Sequence, residues 1–235
     1  MKQTIKNKVG NNLILSGIVL ILLILIWIIF IIFNPLHGIT DEKLAAIASY
    51  PLPYILQNIF AFFIAPVMVF MLVAIDKVVN KGNRYIRNIA LIFISAYLVL
   101  SAISYGSQMY LLIRLIEYQQ AGMARTWFFE SPYSTAFFIK QTGYLFLSLG
   151  LLALFSRLLF AKGLKKWLGL LTVSSSLIFF IAFFASIAAC IDWANYLTLI
   201  SLILFIPICI LIIIKGLRLK NKSTFFQRLK FVLFG

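Results

Sequence analysis

The stretch from Ile89 to Glu117, IALIFISAYLVLSAISYGSQMYLLIRLIE, is typical of a membrane-spanning helix that becomes polar along one side. Helical residues rise about 1.5 Å each, so about 20 of them cross a hydrocarbon core of about 30 Å. The polar residues that recur at helical spacing in its second half are Ser101, Ser104 or Tyr105, and Gln108. Arg114 and Glu117 follow one turn apart. The stretch predicts an all-α membrane protein in which one helix presents a polar face.

The whole chain has the composition of an integral membrane protein. Of its 235 residues, 63% are hydrophobic and only 11% are charged, and the mean hydropathy is +1.05. Soluble domains are about half apolar. Spans and short connections use up the length, so we predict a single integral membrane domain over residues 1–235.

Six apolar segments are long enough to cross a bilayer, and they predict a polytopic helix bundle. The expected spans are about 13–33, 54–75, 89–117, 135–160, 167–190 and 195–214. Two amphipathic segments, about 40–49 and 223–234, are expected to lie on the membrane surface. Aromatic residues between 118 and 134, including Phe128, are typical of a belt at the lipid headgroups. Glycines that follow Lys81, Lys162 and Lys215 are expected to end helices.

The basic residues are divided unequally between the two sides of such a bundle. One side collects 17 basic residues and a single acid, whereas the other has four basic residues and five acids. Because Lys and Arg are enriched in cytoplasmic connections, we predict that both termini are cytoplasmic. This topology accounts for the net charge of +15, so we expect no nucleic-acid partner. Arg228 and Lys230 in the tail are expected to contact anionic lipid of the inner leaflet.

Polar residues gather at the predicted outer ends of spans two to five. The candidate binding residues are Gln57, Asn58, Ser104, Tyr105, Gln108, Arg114, Glu117, Lys140, Gln141 and Asp192. In one interpretation they form a pocket in which Arg114 or Lys140 binds an anionic group, and Glu117 or Asp192 balances the charge. In the other, they anchor helices at the interface and Glu117 pairs with Lys140 or Arg114, because water and headgroups already solvate charges there.

The centres of the predicted spans carry no acidic, basic or histidine residue, which argues against a proton relay or an ion-coupled transporter. The sequence contains no phosphate-binding loop, nucleophile elbow or cysteine pair at metal spacing. His37 is the only histidine and lacks further ligands nearby. We therefore predict no catalytic site, no metal and no cofactor. Cys190 and Cys209 are expected to be unpaired packing residues.

Two stretches carry a resemblance to known proteins. Thr40–Ala48 (TDEKLAAIA), followed by a proline pair and a span, and Gly163–Leu171 (GLKKWLGLL) resemble parts of a broad group of small bacterial integral membrane proteins of unknown function. The resemblance implies the polytopic architecture, and it brings no activity and no site residues. Abundant Ile, Phe, Lys and Asn also favour an AT-rich bacterial genome.

The leading functional prediction is a non-enzymatic membrane protein that binds a lipid, a small ligand or a partner protein, which includes a second copy of itself. The first alternative is a permease or facilitator component for a small neutral or lipidic solute. It would need a polar track from Gln108 past Ser104, Ser101 and Tyr97. The second alternative is a membrane-embedded enzyme that acts on lipid headgroups. Its candidate residues are His37, Asp41 and Glu117.

Overall fold

The computed structural model describes residues 3–33, 36–79, 84–131, 134–188 and 190–234, and these ranges are all-α. Six helices within them are long and apolar enough to cross a membrane, which is the architecture of a multi-pass membrane protein. The candidate spans are Asn7–Phe33, Pro51–Val78, Arg84–Glu117, Thr135–Phe160, Leu164–Ile187 and Ile191–Lys220. Each overlaps one predicted span, and most begin earlier than predicted because polar residues at the ends remain helical.

The helices follow one another with short connections. In chain order they are α1 (Gln3–Phe33), α2 (Thr40–Ser49), α3 (Pro51–Val79), α4 (Arg84–Gly106), α5 (Leu112–Glu117), α6 (Ala121–Trp127), α7 (Thr135–Phe155), α8 (Leu164–Ile187) and α9 (Ile191–Phe234). A π-helical segment, Ser107–Leu111, joins α4 to α5 within one span, and a 3-10 segment, Ser156–Phe160, extends α7. Pro51 and Pro53 lie in the first turn of α3, where a missing N–H costs no helical hydrogen bond.

The spanning helices form a closed ring in chain order. Each packs against the next, from α1 through α3, α4, α7 and α8 to α9, and α9 returns to pack against α1. Short connections make antiparallel neighbours of consecutive helices, which produces this order. Buried apolar side chains fill the interior of the ring, among them Met68, Met71, Ile94, Leu147, Phe179 and Phe205.

Glycines allow two of the helix pairs to approach closely. A Cβ atom on Gly216 of α9 would lie 2.8 Å from the carbonyl oxygen of Gly10 on α1. A Cβ atom on Gly150 of α7 would lie 2.6 Å from Cγ1 of Ile94 on α4. Small residues at such crossings are a common device of membrane helices. Gly216 lies inside α9. The expectation that it ends a helix is therefore wrong.

One end of the ring, here called the cap end, is covered by α2 and α6. Leu44 and Ile47 of α2 pack with Ala124 of α6 and with Phe128, which is fully buried. The helix α2 covers the same residues as the amphipathic segment 40–49. Its two buried residues contact protein, and the Phe128 ring is likewise buried in protein.

One ion pair joins the cap to the connection after α6, and a second joins α2 to α6 within the cap. Lys43 Nζ lies 2.6 Å from a carboxylate oxygen of Glu130. The Arg125 guanidinium donates to both carboxylate oxygens of Asp41, at 2.7 and 2.5 Å. This hydrogen bonding and the charge of Asp41 raise the pKa of Arg125 above its ordinary value. The cap is thus held by ion pairs on its exposed side and by apolar contacts on its buried side.

The C-terminal segment differs from the expected separate surface helix. α9 continues without interruption to Phe234, so the predicted break between residues 214 and 223 is absent. The side chains beyond residue 220 lie outside the described part of the structure. Contact of Arg228 and Lys230 with lipid stays a prediction.

Candidate functional site

Gln108 joins three parts of the cap end and is completely buried. Its Oε1 accepts hydrogen bonds from the Tyr54 hydroxyl at 2.6 Å and from the Phe129 backbone N–H at 3.3 Å. Its Nε2 donates to the Trp127 carbonyl oxygen at 2.6 Å and to Ser107 Oγ at 3.3 Å. A side-chain amide has two N–H donors and two acceptor lone pairs, and all four are used here. We call this arrangement the Gln108 clamp.

The clamp lies on the π-helical segment Ser107–Leu111. Such segments insert one extra residue into a helical turn, are rare, and recur at functional sites. Both Ser107 and Gln108 are buried within this turn. The irregular turn therefore carries the side chain that ties the connection at 127–129 to α3.

A cavity of about 230 Å³ opens beside the clamp, between α1, α3, α4, α7 and α9. We call it the Lys140 pocket. Its polar lining residues are Gln57, Asn58, Glu130, Lys140, Asn195 and Thr198. Its aromatic lining residues are Trp27, Tyr105, Phe129, Tyr144 and Tyr196. A concave, largely apolar cavity with a few convergent polar groups is the usual form of a small-ligand site.

Lys140 on α7 is partly buried, and the groups in direct contact with its ammonium are an amide and two aromatic rings. Nζ donates to Asn195 Oδ1 at 3.1 Å and lies 4.7 Å and 4.8 Å from the ring centroids of Phe129 and Phe137. None of the ion pairs among the described residues includes Lys140. A lysine ammonium has three donors, and Asn195 takes one of them. The cation is thus placed to donate to a group that enters the pocket.

Glu130 lines the same pocket from the connection between α6 and α7. Its side chain is 39% exposed, which places it at the rim, and its carboxylate pairs with Lys43 of α2. Opposite charges therefore face one cavity, and each is held by a different partner.

The floor of the pocket is formed by two tyrosines. The hydroxyl oxygens of Tyr105 and Tyr144 are 2.9 Å apart, and the Tyr144 ring stacks on Phe179 with centroids 4.8 Å apart. At the side of the pocket, Gln141 Nε2 donates to Thr198 Oγ1 at 3.3 Å. These contacts join α4, α7, α8 and α9 directly at the cavity.

Hydroxyl groups around and below this floor bind helix backbones. Ser104 Oγ donates to the Ala136 carbonyl oxygen at 3.3 Å, and Ser148 Oγ donates to that of Ser176 at 2.8 Å. Hydrogen bonds of this type hold membrane helices together. They account for the positions of Ser104 and Ser148.

The predicted site residues divide into three groups. Four line the Lys140 pocket: Gln57, Asn58, Tyr105 and Lys140. Three are buried around it in the contacts already described: Ser104, Gln108 and Gln141. Three are exposed and apart from it: Arg114, Glu117 and Asp192. The acidic residue that lines this pocket is Glu130, and neither Glu117 nor Asp192 lines it.

Glu117 and Arg114 form an exposed ion pair with an oxygen–nitrogen distance of 2.9 Å. The prediction that Glu117 pairs with Lys140 or Arg114 is confirmed for Arg114. Asp192 lies in the first turn of α9, where a carboxylate suits the helix dipole. It lines a second cavity of about 810 Å³, which shares Glu130 with the Lys140 pocket.

Of the six polar residues that line the pocket, three were absent from the predicted set: Glu130, Asn195 and Thr198. Asn195 could have been found, because Asn195, Thr198 and Ser201 recur at helical spacing along α9 and face the interior. No sequence pattern indicated that Glu130 would line the pocket. Its position depends on how the connection after α6 meets Lys43 of α2.

The described ranges contain no group of three or more His, Cys, Asp or Glu side chains that could hold a metal ion. His37 is exposed. One ammonium group, one carboxylate, side-chain amides and hydroxyl groups make up the polar lining of the Lys140 pocket. This donor set suits a charged organic group.

No protein-family model, curated protein or solved structure matches this chain. The pocket is therefore interpreted from its own geometry, and the resemblance to small bacterial membrane proteins stays a prediction.

Proposed function

We propose that this chain is a non-enzymatic membrane protein that binds a lipid headgroup or a small polar ligand in the Lys140 pocket. The observation that carries the proposal is the environment of Lys140, whose partly buried ammonium is held by a neutral amide and two aromatic rings. Withdrawing a cation from water is costly unless a counter-charge compensates it. An anionic group of the ligand supplies that counter-charge.

The proposal is tested by native mass spectrometry of the protein released from mild detergent. Lys140→Met keeps the length of the side chain and removes the charge, and Arg114→Gln is the control, because Arg114 is a cation at the same end but outside the pocket. We expect a discrete bound mass on the parent and on Arg114→Gln, and its loss from Lys140→Met. Equal occupancy on all three folded proteins would contradict the proposal.

We further propose that the chain lies in the cytoplasmic membrane of a bacterium, with both termini in the cytoplasm and the cap end outside. The support is the division of basic residues, 17 on the side of the termini and four on the side of the cap. On this orientation the tail, with Arg228 and Lys230, contacts anionic inner-leaflet lipid. A protein partner or a second copy remains a further proposal from sequence.

The two cysteines provide a test of the orientation. Cys190 is exposed and lies at the cap end, whereas Cys209 is buried beside Met71. A membrane-impermeant maleimide is expected to label intact cells that express the protein, and Cys190→Ser is expected to abolish the labelling. Labelling that requires lysis of the cells would reverse the proposed orientation.

A further inference from the structure

We infer that the ligand of the Lys140 pocket is a zwitterion, with its anionic group at Lys140 and its cationic group at Glu130. This inference rests on the proposed function and specifies the chemical class of the ligand. It starts from the two opposite charges in the wall of one cavity of about 230 Å³.

The two charges face the same space without forming an ion pair with each other. Lys140 donates to the neutral Asn195, and Glu130 accepts from Lys43 on α2. A purely structural arrangement would bring the ammonium and the carboxylate into direct contact, since a desolvated charge is stabilised best by its opposite. The cavity instead keeps a positive pole and a negative pole apart, which suits a ligand that carries both charges.

The positive pole is formed by Lys140 and Asn195 together. Asn195 Oδ1 accepts from Lys140, and the amide of Asn195, which lines the pocket, also carries two N–H donors. Ammonium and amide donors converge well on the oxygens of a phosphate or a carboxylate, because hydrogen bonds to an ionised acceptor are short and strong.

The negative pole combines the Glu130 carboxylate with aromatic rings. Trp27 and Tyr196 line the same pocket, whereas the ring of Phe129 already contacts the Lys140 ammonium. Aromatic faces attract ammonium groups, and the attraction increases when water is excluded. A primary or quaternary ammonium therefore fits the rim at Glu130.

The size of the cavity limits the ligand further. Pockets for drug-sized molecules occupy about 300 to 1,000 Å³, so this smaller cavity accommodates a headgroup or a molecule of that size. Ile31 and Leu199 also line it and can contact an alkyl chain. The same chemistry is present in a zwitterionic phospholipid headgroup and in a free zwitterion, and the experiment separates these two sources.

The experiment titrates the purified protein with three probes and measures occupancy by native mass spectrometry. Phosphatidylethanolamine carries both charges, phosphatidylglycerol carries only the anion, and glycerophosphoethanolamine carries both charges without acyl chains. For the parent we expect phosphatidylethanolamine to bind about tenfold more tightly than phosphatidylglycerol. The reason is that its ammonium group can form one additional charge-assisted hydrogen bond. Binding of glycerophosphoethanolamine with equal affinity would indicate a free zwitterion, and weaker binding would indicate a lipid.

Three variants separate the two poles. Glu130→Gln is expected to bind both lipids equally, whereas Lys140→Met is expected to weaken both by about tenfold or more. Lys43→Gln is the matched control, because it breaks the ion pair with Glu130 but leaves the carboxylate in the pocket. It should retain the preference for phosphatidylethanolamine. Thermal unfolding in the same detergent verifies that each variant is folded.

The possible failures are distinct. If the parent binds both lipids equally and Lys140→Met loses both, the zwitterion inference is overturned while the proposed binding function survives. If Glu130→Gln keeps the full preference, the assignment of the negative pole is overturned. If no probe binds the parent, or if Lys140→Met binds them unchanged, the inference and the proposed function fall together.

Discussion

The Gln108 clamp and the Lys140 pocket lie side by side at the cap end and use their polar groups in opposite ways. Gln108 is buried and engages all its donors and acceptors with the protein. Lys140 is partly buried, has one neutral hydrogen-bond partner, and borders a cavity. A polar group that is fully satisfied by the protein stabilises the fold, whereas one that is only partly satisfied beside a cavity is available to a ligand.

The comparison implies that stability and binding depend on different side chains, although the two sites are adjacent. Substitutions in the clamp should lower the free energy of unfolding. Substitutions in the pocket should lower ligand affinity with little effect on unfolding.

Gln108→Leu is expected to have the largest effect on stability. It leaves the Tyr54 hydroxyl and the Trp127 carbonyl without their partner, and each unsatisfied buried group costs about 1–3 kcal/mol. We expect the free energy of unfolding to fall by about 3 kcal/mol, measured by denaturation in mixed detergent micelles. Gln120→Leu is the control, because Gln120 is exposed and should tolerate the same change. Equal losses in the two variants would remove the structural role assigned to the clamp.

Lys140→Met is expected to show the reverse pattern. Ligand affinity should fall by about tenfold or more, because the charged donor is lost. The free energy of unfolding should change by less than about 1 kcal/mol, since removal of a partly buried charge offsets the lost hydrogen bond to Asn195. The same denaturation and binding assays measure both quantities. A large loss of stability with unchanged affinity would make Lys140 a structural residue like Gln108.

Phe129 belongs to both sites, and Phe129→Leu separates its two roles. Its backbone N–H binds Gln108, whereas its ring lies over the Lys140 ammonium. The substitution keeps the backbone contact and removes the ring, so ligand affinity should fall by a few-fold, as a cation–π contact of about 1 kcal/mol predicts. Titration calorimetry with the ligand measures this change. An unchanged affinity would show that the Phe129 ring does not contribute to binding and that the hydrogen-bonding groups of the pocket do.

Glu117→Gln is expected to have the smallest effect. Glu117 and Arg114 are both about half exposed and pair with each other away from the pocket. Exposed ion pairs contribute little to stability because water and salt screen them. Both the midpoint of unfolding and the ligand affinity should match those of the parent within error. A loss of affinity here would extend the binding site to the exposed end of α5.

The spans were predictable from sequence because a long apolar run is itself the physical requirement for crossing a bilayer. The cap was less predictable. α6 is only seven residues long, and its apolar partners Leu44 and Ile47 come from a distant part of the chain. Local pattern therefore indicated lipid as the neighbour of Phe128, although tertiary contacts bury that ring in protein.

Glycine shows the same limit of local pattern. Gly163 follows Lys162, has a φ of 61° and directly precedes α8, so it lies at the start of a helix and not at the end of one as expected. Gly216 follows Lys215 in the same way, yet it lies inside α9. The difference arises from Gly10, whose carbonyl oxygen occupies the space that a side chain on Gly216 would need. Such a contact between distant segments cannot be predicted from the local sequence of either segment.

The site was partly predictable for a related reason. Lys140 and Gln57 could be placed at one end of the bundle by counting helical residues from the ends of their spans. The depth of a residue in its span does not indicate whether its side chain lies in a cavity or on the surface. The sequence therefore did not distinguish the two cations in this respect. Arg114 and Lys140 differ because α5 turns its charged face outward, whereas α7 directs Lys140 toward α9.

The closure of the ring by α1 and α9 has a consequence for biosynthesis. During translation α1 is the first of the six spans to leave the ribosome and α9 is the last, yet they are neighbours in the finished protein. The face of α1 that carries Gly10 must therefore await its partner until the rest of the bundle has been inserted. Asn195 and Thr198 arrive on that last helix. A nascent chain that stops before α9 thus lacks one wall of the pocket, so only a completely inserted protein can bind there.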